Sequence, residues 1–428
     1  MANVEKGIAL RPKESKTERY APGANTILVC PVACQIQSQP LRGNMKYLIQ
    51  LSRHLILPTA VSWFAIASSA SSSYSTASGY TVTYTDLMPA THVSGIIWAG
   101  AGGQQAGGDG YAGIWSGTSG SFVDLSPAGY AGSLVQGTTG SQQAGTVYSA
   151  TASYAACWSG TAASFVNLGP SGALYSHAWA AGGSQQAGDV TYQIDRFGNG
   201  LTHAAVWSGT AASFKDLHPV GAYQSYAYGT TGAHQAGSAS FATSSYLDHA
   251  ALWSGTAGSF VDLNPAGAER SIARAISGNQ EAGYAIFGGY YHAGFWSGTA
   301  ESFVDLNPVG SSGSFGMGTS GNAQAGDAYF DHYHALLWFG SSASFLDLES
   351  VLGPDYTRES HAMAIWTDGN TIQVGGYAIN QAGYPAPILW TITPVPEPTV
   401  LALGIMGTAV SLPWLRRKTR ASSAILHF

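Results

Sequence analysis

Charge is what this chain has least of: 17 Lys and Arg and 23 Asp and Glu make up 9% of its 428 residues. Solvated helices need charged faces, so a helix-rich enzyme is excluded, and short strands with tight turns remain. With a net charge of -6, and many of the few basic residues outside the repeated part, no basic stripe is left to neutralise phosphates. Nucleic acid is thereby excluded as a partner. Cysteine is also scarce. Cys30 and Cys34 precede the repeated part and Cys157 stands alone inside it, so that part holds no internal disulfide. Cys157 occupies the place taken elsewhere by Ile114, Val206, Leu252, Phe295, Leu337 and Leu389, and reads as a small buried apolar residue rather than a reactive thiol.

Long apolar runs occur only near the two ends. After Met45 come Lys46, Arg53 and His54, the apolar run 55–67, and the small-residue exits Ala65-Ile66-Ala67 and Ser68-Ser69-Ala70. Residues 45–70 read as a secretory signal peptide. Residues 1–44 are a polar extension that translation from Met45 would omit, the alternative being a long atypical leader. At the other end Pro396-Glu397-Pro398 precedes the apolar run 399–415 and the cluster Arg416-Arg417-Lys418, a short membrane span with a basic stop. That order, over residues 394–428, resembles the PEP-CTERM sorting signal of Gram-negative and related bacteria. The resemblance implies an exosortase-type processing enzyme cutting at Pro396-Glu397-Pro398, transient inner-membrane insertion of the tail, and delivery to the cell surface or extracellular matrix. Pro413 within the span and the ending Ala424-Ile425-Leu426 depart from the family pattern, and a permanent single-span anchor is the alternative.

Between these ends, over residues 79–393, the chain repeats itself seven times. One anchor is Asp-Leu or Asn-Leu at Asp86, Asp124, Asn167, Asp216, Asp262, Asp305 and Asp347. Another is the glycine of a Gln-Ala-Gly-like triplet at Gly107, Gly145, Gly188, Gly237, Gly283, Gly326 and Gly375. The third is Trp115, Trp158, Trp207, Trp253, Trp296, Trp338 and Trp390. Trp to the next Asp or Asn is a constant step, and Asp or Asn to Gly is constant in all but the last module. Only the Gly-to-Trp step varies throughout, so insertions collect in one loop per module and on one face. Each module reads as four short strands, a propeller blade. The first strand, from Tyr80 to Leu87, matches the outer strand missing from the last module, which predicts an all-β, seven-bladed β-propeller of four-stranded blades closed by overlap of the two ends. A β-solenoid or sandwich is the alternative. His249-Ala250-Ala251-Leu252-Trp253-Ser254-Gly255, with Phe260-Val261-Asp262-Leu263 and Ser277-Gly278-Asn279-Gln280, resembles the extracellular HAF-type repeats of bacterial secreted proteins. It differs in having Gln-Ala-Gly for the usual Val-Val-Gly, and it implies no chemistry at single residues.

Residues able to do chemistry follow the repeat instead of breaking it. His203, His249, His292 and His334 lie four residues before their tryptophans, where Tyr111 and Tyr154 also serve, so they read as hydrogen-bonded structural residues and not as a metal-binding ring. Asp124, Asp216, Asp262, Asp305 and Asp347 recur with the fold and are expected to bond turn backbone. No catalytic residue, metal or cofactor is expected. Ligand binding is assigned to the variable loops, at Tyr192, Asp195, Phe197, Phe241, Tyr246, Tyr290 and Tyr291, because aromatic rings beside polar groups suit sugars or partner proteins. The expected function is that of an exported surface or matrix protein without catalysis, binding exopolysaccharide or another surface protein. A secreted propeller glycan hydrolase or lyase is the alternative.

Overall fold

In the computed structural model residues 73–75, 79–194, 200–241 and 247–395 are described. The polar extension, the signal peptide and the sorting motif from Pro396 onward lie outside them. Among the described residues no helix is long and apolar enough to cross a membrane. The repeats form seven antiparallel sheets, the blades of a propeller. Blade 4 shows the plan: an inner strand Gln224–Thr230, a second strand Gln235–Ser240, a third strand Asp248–Trp253 and a short outer strand Val261–Asp262. Blades 1 to 6 cover residues 97–124, 132–167, 175–216, 224–262, 270–305 and 313–347. Blade 7 is built from Tyr356–Asp368, Thr371–Asn380 and Pro385–Pro394, and its fourth strand is Tyr80–Asp86 from the start of the domain. That strand pairs over its whole length, from Tyr80 opposite Pro394 to Asp86 opposite Ile388, so the ring closes as expected. Ser73–Ser75 adds a short fifth strand outside it.

The repeated residues are those that make the joints between blades. Among the described residues the ring has seven hydrophobic clusters, one at each blade interface, and each contains the repeat tryptophan of the following blade. At the interface of blades 2 and 3, Trp207 packs with Ala144, Ala155, Cys157 and Leu168 of blade 2 and with Ala178, Val190 and Ala205 of its own blade. Cys157 thus takes the apolar role expected of it. Alanine dominates because each sheet face must lie close against a neighbour with a large indole already between them.

Hydrogen bonds account for the other anchors. Each Asp or Asn accepts, through its side-chain oxygen, the backbone N–H two residues on, at 2.7 to 3.0 Å in all seven modules. In blades 1 to 6 the residue opening the triplet accepts the glycine N–H of the turn after the tryptophan, as in Gly255 N–H to Gln235 Oε1 at 2.9 Å. Glu281 does the same for Gly298 in blade 5. The triplet glycine answers a β-bulge, because each inner strand carries one extra residue. A Cβ on Gly237 would stand 1.9 Å from the Tyr226 carbonyl oxygen, and the same clash recurs at Gly107, Gly145, Gly188, Gly283 and Gly326. In blade 7 it falls on Gly376, opposite Ala362, and not on Gly375, so the seventh anchor lies one residue later than its spacing suggested.

Candidate functional site

The histidines of the third strands are fixed within their own blades. His203, His249, His292 and His334 each direct Nδ1 at the carboxylate of the blade's outer-strand aspartate, at 2.7 to 2.9 Å. The side-chain hydrogen bond to Asp262 is the largest influence on His249 and holds its pKa above the ordinary value. Burial pushes Asp262 upward, but the His249 bond and the Asn264 N–H outweigh it and leave the carboxyl more acidic than usual. These pairs lace the third strand to the outer strand, as the structural reading of both residue types anticipated.

The start of the inner strand, the end of the second and the start of the third meet on one face, which also carries the variable loops. Of the residues assigned to ligand binding, Asp195, Phe197 and Tyr246 lie outside the described residues. Tyr192 is partly buried, packs against the cluster around Trp207 and meets His203 and Phe214 edge-on, with centroids at 5.9 and 6.4 Å. Phe241 is 41% exposed but braced by Phe260 at 5.5 Å. Tyr290 is 61% exposed at the tip of a tight turn in blade 5. Tyr291 points inward, 4.8 Å from Phe315 and 5.6 Å from Tyr284.

Tyr291 thereby opens a continuous aromatic ridge that the loop-by-loop reading missed. Tyr284 and Tyr291 of blade 5 meet Phe315 of blade 6, Phe315 meets Tyr333 at 6.4 Å, and Tyr333 meets Tyr329 at 5.1 Å. Tyr333 also contacts His361 of blade 7 at 5.1 Å, and His361 stacks on Tyr377 at 4.6 Å. His361 is held from below by Asp327 of blade 6, Nδ1 to Oδ2 at 2.8 Å. Burial opposes protonation of His361, yet the Asp327 charge overcomes it and the pKa lies above the ordinary value.

At the centre, the extra residue of each inner-strand bulge lines the axial channel: Trp98, Gln136, Trp179, Tyr228, Arg274, Met317 and Met363. They enclose about 90 Å³. Ligand pockets run to several hundred Å³, so a channel this narrow is filled by its own side chains. The Arg274 guanidinium lies 4.7 Å from the Tyr228 ring centroid, a cation–π contact that offsets part of its desolvation.

One further constellation joins blades 2 and 3. Ser153 Oγ is 2.9 Å from His177 Nε2, and His177 Nδ1 is 3.0 Å from Asp189 Oδ2. The other Asp189 oxygen accepts the Trp179 indole N–H. Burial disfavours charge on His177, but Asp189 outweighs it and raises the pKa. Ser153 and Asp189 are 7% and 2% exposed. The order Ser-His-Asp has the connectivity of a nucleophile relay, while between blades 6 and 7 a histidine, His361, reaches across to Asp327 directly and no serine takes part. Spacing could not have exposed either cluster, since their members come from different strands and blades.

No protein-family model matches the chain, and no curated protein matches it. Solved structures with a similar course of chain include TolB from Acinetobacter baumannii, at 10% identity and TM-score 0.36, covering 62% of each chain. The β-propeller domain of the Trilobed protease from Pyrococcus furiosus matches at 6% identity and TM-score 0.41, over 76% of this chain and 96% of that one. An oligogalacturonate lyase from Vibrio parahaemolyticus matches at 7% identity and TM-score 0.42, over 77% and 97%. At such identities and scores these likenesses carry nothing about activity.

Proposed function

We propose that this is an exported surface or matrix protein that binds a polysaccharide chain, without catalysis, along the loop face of blades 5 to 7. The observation that carries the reading is the aromatic ridge from Tyr284 to Tyr377, flanked by Tyr290 and Tyr329, which are 61% and 39% exposed. Aromatic faces stack on the C–H faces of sugar rings, and their hydroxyls hydrogen-bond the ring substituents. A ridge crossing three blades suits a chain better than a monosaccharide. Export, sorting by an exosortase-type enzyme and transient membrane insertion belong to the same proposal and rest on residues 45–70 and on the order Pro396-Glu397-Pro398, 399–415, Arg416-Arg417-Lys418. A glycan array probed with the purified protein tests the binding. The double variant Tyr290→Ala, Tyr329→Ala is expected to lose at least tenfold in affinity at an unchanged melting temperature; retained affinity refutes the ridge as the site.

A second reading, hydrolysis of an ester substituent, is favoured by the Ser153–His177–Asp189 relay. Burial of Ser153 within a blade interface supports a bracing role instead. Covalent labelling of Ser153 by a fluorophosphonate, abolished in Ser153→Ala, would establish the nucleophile and displace the binding-only reading. The two-carboxylate form of glycan hydrolysis gains no support from the seven channel side chains, none of which is acidic.

A further inference from the structure

Blade 6 departs from the repeat at the loop end of its third strand. There Asp331 Oδ1 is 3.0 Å from His332 Nδ1 and 3.3 Å from His334 Nε2, and the three donor atoms lie within 4.8 Å of one another. The two imidazole rings are 4.4 Å apart. Each ring's second nitrogen also faces a carboxylate: His332 Nε2 is 2.6 Å from Glu349 Oε1, and His334 Nδ1 is 2.9 Å from Asp347 Oδ2. Those outer carboxylates are themselves held. Glu349 Oε2 accepts the Ser360 hydroxyl at 2.9 Å, and Asp347 Oδ1 accepts the Glu349 N–H at 3.0 Å.

Proton counting gives this arrangement its meaning. A neutral imidazole carries one N–H, yet both rings meet carboxylate oxygens at both nitrogens. If the two N–H groups go to Glu349 and Asp347, then His332 Nδ1 and His334 Nε2 turn lone pairs toward the Asp331 oxygen. Three electron-pair donors then converge on one point, an arrangement that suits a single divalent cation. In blade 5, Tyr290 and Asn307 stand where blade 6 has His332 and Glu349, and His292 hydrogen-bonds Asp305 alone among the carboxylates.

We propose that blade 6 holds a single divalent transition-metal ion of the zinc class, ligated by Asp331 Oδ1, His332 Nδ1 and His334 Nε2, with Glu349 and Asp347 orienting the two imidazoles. Two imidazoles and one carboxylate are a zinc-type donor set, and carboxylates on the far nitrogens are the usual outer partners of such ligands. Calcium and magnesium prefer all-oxygen shells, so the two nitrogens select against them. Asp331 is 79% exposed, which leaves the remaining coordination position open to water or to an oxygen of a bound molecule.

The test is calorimetric titration of Zn²⁺ into the EDTA-stripped, tag-free protein, repeated with Ca²⁺. Zn²⁺ is expected to bind one to one with micromolar or tighter affinity and to raise the melting temperature, while Ca²⁺ does neither. His332→Gln and Asp331→Asn should each abolish the site. Glu349→Gln, which keeps every ligand, should weaken binding about 10- to 100-fold, and His249→Gln in blade 4 should leave it unchanged. The proposal is overturned if Zn²⁺ shows no saturable binding, if His332→Gln binds as the parent does, or if Ca²⁺ binds equally well. An unchanged affinity in Glu349→Gln would overturn the role given to the outer carboxylate.

Discussion

Closure of the ring by Tyr80–Asp86 can be broken while the strands of blades 1 to 6 are left in place. A chain beginning at residue 89 lacks the closing strand, whereas one beginning at residue 73 keeps it. The shorter chain loses Val82, Tyr84 and Leu87, which are 1%, 4% and 0% exposed. Full burial of such side chains is worth about 1.5–3 kcal/mol each, so the three together contribute about 5–9 kcal/mol. The shorter chain also loses the ladder to Pro385–Pro394, and with it the bond from the Tyr356 hydroxyl to Asp86 and that from the Gly353 N–H to the Tyr84 hydroxyl. Whole domains are stable by about 5–15 kcal/mol, so the deletion removes a large share of the total. It also leaves the Trp390 strand as an open edge. Urea unfolding of the two chains, followed by tryptophan fluorescence, is expected to place the shorter one far below the longer or already unfolded in buffer. A peptide of residues 79–88 should restore part of the loss as its concentration rises, by about 2.7 kcal/mol at a hundred times its Kd. Coincident unfolding midpoints would refute closure by this strand.

Three other outcomes follow from the same geometry. Gly237→Ala should destabilise by about 4 kcal/mol or more, because the added methyl would lie 1.9 Å from a carbonyl oxygen, whereas Gly258→Ala, with nothing within 4 Å and Ala163 and Ala212 at the same place in other blades, should be neutral in a thermal melt. Cys157, whose thiol burial pushes up to about 11, should resist iodoacetamide in the native protein and react on unfolding, as read by peptide mass; labelling of the native protein would contradict its place in the interface. The His249–Asp262 pair should contribute most between about pH 4 and 6.5, since the lowered Asp262 pKa loses its contribution as pH falls through it and the raised His249 pKa loses its own as pH rises through it. His249→Asn should therefore lower the melting temperature most in that window, by the amount of a half-exposed pair worth under about 1 kcal/mol, and a difference independent of pH would refute the pairing.

The frame of the ring was legible because most joints impose the same residue type each time they recur. The indole between blades, the Asx turn, the bulge glycine and the turn-binding glutamine are each a local solution repeated around the axis, so spacing alone located them. The miss at Gly375 has the same origin. Blade 7 offers two adjacent glycines, and only the register, Gly376 opposite Ala362, tells which one faces the bulge. Loop composition was a poorer guide, because an aromatic ring is equally at home as packing or as an exposed face. Tyr192 closes over the Trp207 cluster at the end of a long second strand, while Tyr290 projects from a short turn. Residue type is the same in the two cases, and strand length makes the difference.

What breaks the repeat is harder to see for a physical reason. Equivalent positions that the fold does not constrain are free to differ from blade to blade, and in a single sequence that freedom looks like noise. The channel ring is the clearest case: five of its seven members are large residues between small ones, as in Ala178-Trp179-Ala180, Ala227-Tyr228-Gly229 and Ala273-Arg274-Ala275. The small neighbours are required by the close approach of inner strands, as the positions around Gly137 and Gly182 make plain. The large residue is not required by the bulge and carries whatever chemistry the axis has. The same logic singles out Asp331, His332 and Glu349 in blade 6 and Ser153 with His177 and Asp189 between blades 2 and 3. The blade 6 set adds polar groups that its neighbour lacks, since blade 5 has Tyr290 and Asn307 in place of His332 and Glu349. In a propeller the repeated residues report the fold, and function has to be sought where one blade spends a polar side chain that its neighbours leave out.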